Sequence, residues 1–298
     1  MIASAMTALS GLSNNARGAL WVALGGFFFT IMVALIKEVG TAIPVFQILF
    51  IRQVIMMVTV APVLAANRRA AFRTRHHGLH AARVLLAVVA MVLGFTAVVH
   101  LPLAEATALG FSKTMFVTLL AVYFLHEVAG TRRWMVVLVG FLGVLIMLRP
   151  DTGAISLYAI FALVSAMAAA GIMVIIRKIA QHDQPMTILA IQAIFVGLIM
   201  SVPAFLFWVD PSPREWLALI AIGVISAIGQ YCNIRGFRSG EASAVAPMEY
   251  IRLVFAIIIG FLVFAERPDL VTLFGAALIA GSSIYAIRAE HTAQALQD

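Results

Sequence analysis

Long apolar runs follow one another along the whole chain, separated only by short polar connections. About 20 residues, at a rise of ~1.5 Å each, are needed to cross a hydrocarbon core of ~30 Å, so such runs predict transmembrane helices. Hydrophobic residues make up 63% of the chain and charged residues only 11%. That balance leaves too little polar surface for a soluble domain. The sequence therefore predicts an all-α polytopic membrane protein.

The apolar runs and the charged, proline or glycine breaks between them predict ten transmembrane helices. Their predicted ranges are 18–37, 43–65, 81–101, 103–125, 133–149, 154–177, 186–208, 215–234, 242–264 and 269–287. Because all the connections are short, we expect no soluble domain that could hold a conventional active site.

The distribution of basic residues predicts the orientation of these helices. With the N-terminus in the cytoplasm, 13 of the 20 Lys and Arg residues fall in cytoplasmic segments, 4 fall outside, and 3 lie within helices. An excess of basic residues in cytoplasmic loops is the usual pattern of membrane proteins. An even number of spans also requires both termini on one side. We therefore expect a multi-pass protein of a bacterial-type inner (plasma) membrane with both termini in the cytoplasm.

Two segments of the chain match each other, EATALGFSKTMFVTLLAVYFLHE and EASAVAPMEYIRLVFAIIIGFLVFAE. Lys113 lies 14 residues before the closing glutamate of the first segment, and Arg252 lies 14 residues before that of the second. The match predicts two halves of five helices, 1–150 and 151–298. Five is odd, so the second half enters the membrane from the opposite side. Such inverted repeats are typical of transporters with a substrate site at the repeat interface.

Three stretches carry a resemblance to a known family. GEASAVAPMEYIRLVFAIIIGFLVFAERPDLVTLFGAALIAGSSIYAI resembles the closing helices of the drug/metabolite transporter superfamily, EamA type, and LPLAEATALGFSKTMFVTLLAVYFLHE resembles the matching part of its first half. PVFQILFIRQ is similar to the second helix of that family. The resemblance implies a basket-like 5+5 bundle around a central cavity. It also implies a metabolite cargo, since members move amino acids, nucleotide-linked compounds, riboflavin and adenosyl-methionine, and exporters of aromatic amino acids and methionine are prominent among them.

Three basic residues, Arg52, Lys113 and Arg252, fall near the middle of predicted helices. A charge at the bilayer centre costs about 2.5–3.5 kcal/mol on insertion scales, so such residues usually face a cavity or a partner. Lys113 and Arg52 are candidates to bind a substrate carboxylate. The alternatives are a structural contact from Lys113 to Glu249 and a strut from Arg52 to backbone carbonyls. Glu249 is three residues before Arg252, on one helical face, and the pair forms either an internal ion pair or part of the site.

A zwitterionic amino acid needs a cation for its carboxylate and an acceptor for its ammonium group. Glu249 is the candidate acceptor. Phe116 and Phe255 each lie three residues after a buried cation and are candidates to flank an apolar side chain. Tyr250 is a weaker candidate of the same kind, because polar groups in a span also simply bridge helices.

Several other features have structural interpretations. Glu105 and Glu241 suit the positive ends of helices, and Glu266 is expected at an interface beside Arg267. The histidines of the basic loop after the second span, together with Arg83, are expected to touch anionic lipid heads. These histidines are His76, His77 and His80. The small residues of GFLG (140–143) and GAALIAG (275–281) predict close helix packing, within one chain or in a homodimer.

These observations predict a metabolite exporter that works by alternating access, with amino acids, aromatic or large and apolar, as its cargo. A nucleotide-like or vitamin-like metabolite, whose anionic groups would use all three buried cations, is the alternative cargo. An intramembrane enzyme or a lipid-handling protein is the alternative class. The sequence carries no catalytic, metal-binding or nucleotide motif, so we predict no enzyme, cofactor, metal or nucleic-acid partner. Its single cysteine, Cys232, excludes an internal disulfide.

Overall fold

The computed structural model is a bundle of membrane-crossing helices. It describes residues 14–66, 74, 76–125, 131–148, 156–179, 183, 185–239, 248 and 250–294. Within these residues there are eleven α-helices and no strand. The helices are α1 (Asn14–Val39), α2 (Val45–Ala66), α3 (His77–His100), α4 (Leu103–Gly110), α5 (Lys113–Leu125), α6 (Thr131–Leu148), α7 (Leu157–Ile179), α8 (Pro185–Leu206), α9 (Pro213–Ser239), α10 (Ile251–Phe264) and α11 (Leu270–Gln294).

Each of the ten predicted spans has a counterpart among the described helices. Five segments are long and apolar enough to cross a membrane: Ala16–Val39, His77–His100, Leu103–Phe124, Leu157–Ile176 and Pro213–Asn233. Five shorter apolar segments supply the rest: Val45–Val58, Val137–Ile146, Ala190–Leu206, Ile251–Phe264 and Leu270–Ser282. The fold is therefore all-α and multi-pass, as predicted.

The fourth predicted span differs from the prediction, because it consists of two helices. A turn at Phe111 and Ser112 separates α4 from α5. The ninth span is described only from its second part, where a turn at Tyr250 leads into α10. The first part of that span, including Pro247 and Glu249, lies outside the described residues.

Several helices extend beyond their predicted ends. α1 begins at Asn14 rather than 18, α3 begins at His77 rather than 81, and α11 ends at Gln294 rather than 287. Hydropathy marks only the apolar part of a helix, whereas backbone hydrogen bonding continues through polar flanks until a breaking residue. The sequence pattern therefore locates the membrane-embedded length better than the helix ends.

The helices pack mainly in four pairs, α1 with α9, α3 with α7, α2 with α8, and α6 with α11. This pairing is unchanged when each of the first five spans is exchanged with the span five places later. The pair of α1 with α9 then becomes the pair of α7 with α3, and the pairs of α2 with α8 and of α6 with α11 stay the same. Several smaller contacts break this symmetry, and the contact of α1 with α3 is one of them. α1 packs against α3, but among the described residues α7 and α9 make no comparable contact.

Glycines bring α1 and α9 unusually close. An added Cβ at Gly25 would lie 3.1 Å from the carbonyl oxygen of Gly229, and one at Gly236 would lie 3.0 Å from that of Gly18. On each helix the two glycines are seven residues apart, or about two turns, so they lie on one face. Small residues allow such close contacts between membrane helices.

The predicted small-residue faces of α6 and α11 pack against each other within the chain. A Cβ at Gly143 would lie 2.8 Å from the carbonyl oxygen of Gly275, and one at Gly140 would lie 3.1 Å from the hydroxyl of Ser282. Gly281 is different, because an added Cβ there would meet no atom within 4 Å. The contact inside one chain accounts for these glycines, and a homodimer stays a prediction.

Candidate functional site

A central cavity of about 360 Å³ lies among α1, α2, α3, α4, α5, α7 and α10. Its walls are mostly apolar, yet Arg52, Lys113 and Arg252 all line it. The structure thus brings together the three basic residues that the sequence places inside spans. No acidic residue is among the described residues that line the cavity.

Arg52 on α2 is held firmly in the cavity wall, with only 4% of the residue exposed. Its Nε donates a hydrogen bond of 3.0 Å to the hydroxyl of Ser226 on α9. Its guanidinium carbon also lies 5.8 Å from the centre of the Phe95 ring, within cation–π range. The partner found is a side-chain hydroxyl rather than the backbone carbonyls expected for a strut. Arg52 is therefore both anchored and part of the cavity surface.

Arg252 on α10 lies over the ring of Phe29, with its guanidinium carbon 3.9 Å from the ring centre. The side chain crosses α1 at Gly26, where an added Cβ would lie 2.9 Å from Cγ of Arg252. Any larger residue at Gly26 would displace the arginine. Phe29 itself lines the cavity, so the cation and the aromatic face form one surface.

Lys113 is the first residue of α5, directly after the turn that separates α4 from α5. Arg252 is the second residue of α10, directly after the turn at Tyr250. Helix N-termini carry the positive end of the helix dipole. In transporters, the N-termini of interrupted helices often point at the anionic groups of a substrate. Two cations and two helix starts therefore meet at the same cavity.

The turns before α5 and α10 are themselves in contact. Phe111 and Tyr250 each lie two residues before their cation, and both have backbone angles of φ −70° and ψ −14°. Their ring centres are 4.7 Å apart. Phe111 and Tyr250 thus lie at matching positions before the two cations and contact each other. Phe111 lines the cavity, whereas Tyr250 contacts Phe111 and is not among the residues that line the cavity.

The predicted aromatic flanks lie elsewhere. Phe116 and Phe255 are not among the residues that line the cavity, and the Phe255 ring packs on Phe27 with centres 5.4 Å apart. The aromatic residues of the cavity wall are Phe29, Phe95 and Phe111. Phe116 follows Lys113 within α5, and Phe255 follows Arg252 within α10, so a spacing of three residues on one helix does not by itself bring an aromatic ring to the cavity. Glu249, the predicted ammonium acceptor, lies outside the described residues.

Residues 16–149 and 156–288 each match the EamA-like transporter family. The chain belongs to this family. It is therefore a membrane transporter of the drug/metabolite superfamily and not an enzyme, as predicted.

Three characterised relatives carry three different cargoes. A riboflavin transporter of Brucella anthropi is 31% identical, over 83% of this chain and 89% of the relative. An S-adenosylmethionine uptake transporter of Rickettsia prowazekii is 26% identical, over 94% and 95% of the two chains. A pseudopaline exporter of Pseudomonas aeruginosa is 32% identical, over 88% and 93%. Family membership therefore establishes small-molecule transport but identifies neither the cargo nor the direction of transport.

The fold is also that of a solved structure, described only as a crystal structure of a protein. The two superpose with a TM-score of 0.61 at 18% identity, over 91% of this chain and 96% of the other. At that identity the similarity concerns the fold alone.

One end of this EamA-like transporter carries a partly buried ion pair that joins its two halves. Lys37, near the end of α1, donates to the carboxylate of Glu266, just after α10, and to the carbonyl oxygen of Leu101. The same carboxylate accepts a hydrogen bond of 2.7 Å from the backbone N–H of Leu103, at the start of α4. The expectation that Glu266 lies beside Arg267 is thus replaced by a contact that no local sequence pattern predicts.

The opposite end of the transporter has its own polar contact between the halves. Asp183 accepts hydrogen bonds from Thr74 at 2.6 Å and from Nε2 of His80 at 2.7 Å. One turn along α3, Arg83 donates to the carbonyl oxygen of Ile188 on α8. His80 and Arg83 are each only 3% exposed. The prediction that they touch lipid heads is therefore wrong, because both side chains turn inward to partners in the second half.

Proposed function

We propose that the central cavity carries a small metabolite with at least one carboxylate or phosphate group. The observation that supports this most directly is the convergence of Arg52, Lys113 and Arg252 on one apolar cavity. Each cation in a bilayer costs about 2.5–3.5 kcal/mol on insertion scales. An anionic cargo would offset part of that cost when it binds, which would explain why three cations line one cavity.

The rest of the cavity suits a flat or apolar body attached to the anionic group. Phe29 and Phe95 each present a ring beside an arginine, so a planar cargo would stack where its charge is also bound. A volume of about 360 Å³ lies at the lower end of the ~300–1,000 Å³ typical of small-molecule sites. The cavity therefore has room for one small metabolite rather than a peptide.

Two classes of cargo fit this description. Aromatic or large apolar amino acids would place their carboxylate on the cations and would need an acceptor for the ammonium group. Among the described lining residues, Thr107 and Ser165 offer hydroxyl oxygens, which already donate to the carbonyls of Leu103 and Ala90, and Glu249 is the charged candidate. A vitamin-like or nucleotide-like anion needs no such acceptor. The absence of a carboxylate among the described lining residues favours this second class.

We further propose that the two halves, 1–150 and 151–298, form an inverted repeat and work by alternating access. The exchange symmetry of the helix pairs and the contact between Phe111 and Tyr250 support this arrangement. With both termini in the cytoplasm of a bacterial-type inner membrane, the ion pair of Lys37 and Glu266 faces outward. A cavity closed at that end would load from the cytoplasm, which is the first step of export.

Flux into and out of proteoliposomes tests the proposal. The labelled cargoes are phenylalanine, tryptophan and methionine for the amino acids, and nicotinate and adenosine monophosphate for the vitamin-like and nucleotide-like anions. Riboflavin and S-adenosylmethionine are added as the cargoes of the relatives, and each flux is measured with and without a pH gradient. We expect saturable flux of at least one cargo and a half-saturating concentration raised at least tenfold by Lys113→Met. Arg214→Met is the matched control, because the Arg214 side chain is 87% exposed and lies outside the cavity.

The outcomes separate the alternatives. Flux of an amino acid that Glu249→Gln abolishes would identify the zwitterion site, whereas flux of nicotinate or adenosine monophosphate that tolerates this change would identify the anion site. Saturable flux that Lys113→Met and Arg252→Met leave unaltered would overturn the assignment of the cavity.

A further inference from the structure

Two glycines line the central cavity, Gly94 on α3 and Gly110 on α4. They differ in what surrounds them. An added Cβ at Gly94 would lie 2.5 Å from the hydroxyl oxygen of Ser165 on α7, so the close packing of α3 with α7 accounts for this glycine. An added Cβ at Gly110 would meet no atom of the described residues within 4 Å. Packing in the described part of the chain therefore explains Gly94 but not Gly110.

The backbone at Gly110 does not require glycine either. Gly110 is the last residue of α4, and its φ lies outside the range from +20° to +160° in which other residues are strained. Phe111, which follows it, has ordinary right-handed angles of φ −70° and ψ −14°. Glycine loses more conformational freedom on folding than any other residue, so alanine would favour the helix more than Gly110 does. Neither the backbone nor the described packing thus gives a reason for glycine at this position.

Gly110 keeps part of the cavity open next to a cation. Ala106, one turn earlier on the same face of α4, also lines the cavity. Lys113, three residues after Gly110, is the first residue of α5 and lines the cavity as well. Because Gly110 has no side chain, open space remains in the wall between these two residues. A cargo whose anionic group binds Lys113 would have its adjoining part near this space.

The aromatic residues of the cavity make this space matter for a planar cargo. Phe29 and Phe95 each present a ring beside an arginine. A planar cargo that stacks on such a ring extends sideways in the plane of its own rings. The width that the cavity accepts is therefore set by the wall residues that lack bulk, and Gly110 is the one among them whose missing side chain leaves open space.

We propose that Gly110 determines the size of the cargo. The space at this glycine admits a body of two fused rings joined to the anionic group, and a larger residue here would restrict the cavity to cargoes with a single ring. The inference deepens the proposed function and rests on it, because it takes the central cavity with Lys113 as the cargo site. It names the cargo class more narrowly, as carboxylates or phosphates that carry two fused aromatic rings.

Isothermal titration calorimetry of the purified full chain with benzoate and 2-naphthoate tests this role. The two probes carry the same carboxylate and differ by one fused ring. We expect the parent protein to bind both. Gly110→Leu should raise the dissociation constant of 2-naphthoate about tenfold or more, because its side chain would overlap the second ring, and that of benzoate less than about twofold.

Gly78→Leu is the matched control. An added Cβ at Gly78 also meets no atom of the described residues within 4 Å, and Gly78 does not line the cavity. The same substitution at this position should therefore alter neither dissociation constant. Lys113→Met is the second comparison, and it should weaken both probes, because both carry the carboxylate.

Gly110→Ala tests whether the glycine serves packing instead. Its thermal midpoint in detergent should equal or exceed that of the parent, and a lowered midpoint would overturn the inference. The same variant should shift the ratio of the two dissociation constants in the same direction as Gly110→Leu, so it decides the question if the leucine variant does not fold.

The outcomes separate this inference from the proposed function. If Gly110→Leu weakens both probes equally, or neither, while Lys113→Met weakens both, Gly110 does not set the cargo size and the cavity remains the anion site. If the parent binds neither carboxylate, or if Lys113→Met weakens neither, the proposed function is wrong and this inference is wrong with it.

Discussion

The ion pair of Lys37 and Glu266, which we propose holds the outer end of the bundle closed, gives the sharpest prediction. Glu266→Gln keeps the size of the side chain and removes its charge. Lys37 then loses its anionic partner but still donates to the carbonyl oxygen of Leu101. The N–H of Leu103 still finds an amide oxygen in place of a carboxylate. We expect the contact between the two halves at this end to weaken, while the fold is kept.

The exposure of the two side chains sets the size of the effect. Removing one partner of a fully buried ion pair costs about 3–5 kcal/mol, and exposed pairs contribute about 0–1 kcal/mol. Lys37 and Glu266 are 13% and 15% exposed, and hydrogen bonds remain after the change, so we expect about 2 kcal/mol, between these limits. Since ~1.4 kcal/mol corresponds to a factor of ten, the preference for the closed end should fall by about 30-fold.

Cysteine accessibility measures this shift. Cys232 is the single cysteine, so a Cys232→Ser background carries no thiol. In it, Val98→Cys places a thiol on the wall of the central cavity. A membrane-impermeant maleimide added outside should label this thiol about 10- to 30-fold faster once Glu266→Gln is introduced.

A second ion pair provides the matched control for this experiment. Glu38 and Arg214 are 3.1 Å apart, with side chains 50% and 87% exposed. Glu38 is next to Lys37 in the chain, and such an exposed pair should contribute little. Glu38→Gln should therefore leave the labelling rate of Val98→Cys unaltered. If Glu266→Gln labels at the parent rate, or if Glu38→Gln accelerates labelling equally, the buried ion pair does not hold this end closed.

Three further predictions concern the cavity, the helix packing and the effect of pH. Arg52→Met should weaken cargo binding about 10- to 150-fold in competition assays, because hydrogen bonds to charged groups contribute about 1.5–3 kcal/mol; unaltered affinity would exclude Arg52 from the site. Gly143→Leu should lower the thermal midpoint in detergent, since its Cβ would lie 2.8 Å from a backbone oxygen of α11 and overpacking costs about 1–3 kcal/mol; Gly281→Ala, with no atom within 4 Å of the added Cβ, should leave the midpoint unchanged. Burial opposes ionisation of Asp183, but hydrogen bonds from Thr74 and a histidine outweigh it and lower its pKa, so this carboxylate stabilises the fold above its unfolded pKa of about 4 and loses that effect as pH falls through the lowered value. Thr74→Val should accordingly lower the thermal midpoint at pH 7 more than at pH 3, and equal losses at both values would contradict the linkage.

The sequence indicated for a physical reason that the three buried cations face a cavity, and their role in binding stays a prediction. A charge in the middle of a span is costly in lipid, so Arg52, Lys113 and Arg252 were expected to face either a cavity or a partner. The spacing to the closing glutamates also related Lys113 to Arg252 before any contact was known. In the structure, both follow a turn and line the same cavity.

The aromatic residues were not predictable in the same way. Phe29 and Phe95 are two of 20 phenylalanines in an apolar chain, and no local charge distinguishes them. Phe116 was chosen because it lies three residues after Lys113, but this spacing within one helix does not decide which side chains reach the cavity. To predict which aromatic residues line the cavity, the contacts between helices must be known. The spacing of residues within one helix does not give those contacts.

The contacts at the two ends of the bundle were not predicted, because the residues that form them are far apart in the sequence. Lys37 and Glu266 are 229 residues apart, and His80 and Asp183 are 103 apart. Each of these four residues lies near a helix end, where a solvated or lipid-facing role is the ordinary expectation. Only the packed bundle reveals that they join the two halves.

The pairing of the helices bears on the alternating access that we propose. The four helix pairs are kept when the two halves are exchanged, whereas smaller contacts such as that of α1 with α3 have no counterpart among the described residues. If the two halves exchange their arrangements during transport, each pair would move as a unit and only the smaller contacts would be broken and formed again. The glycines that bring α1 and α9 together would then hold one such moving unit.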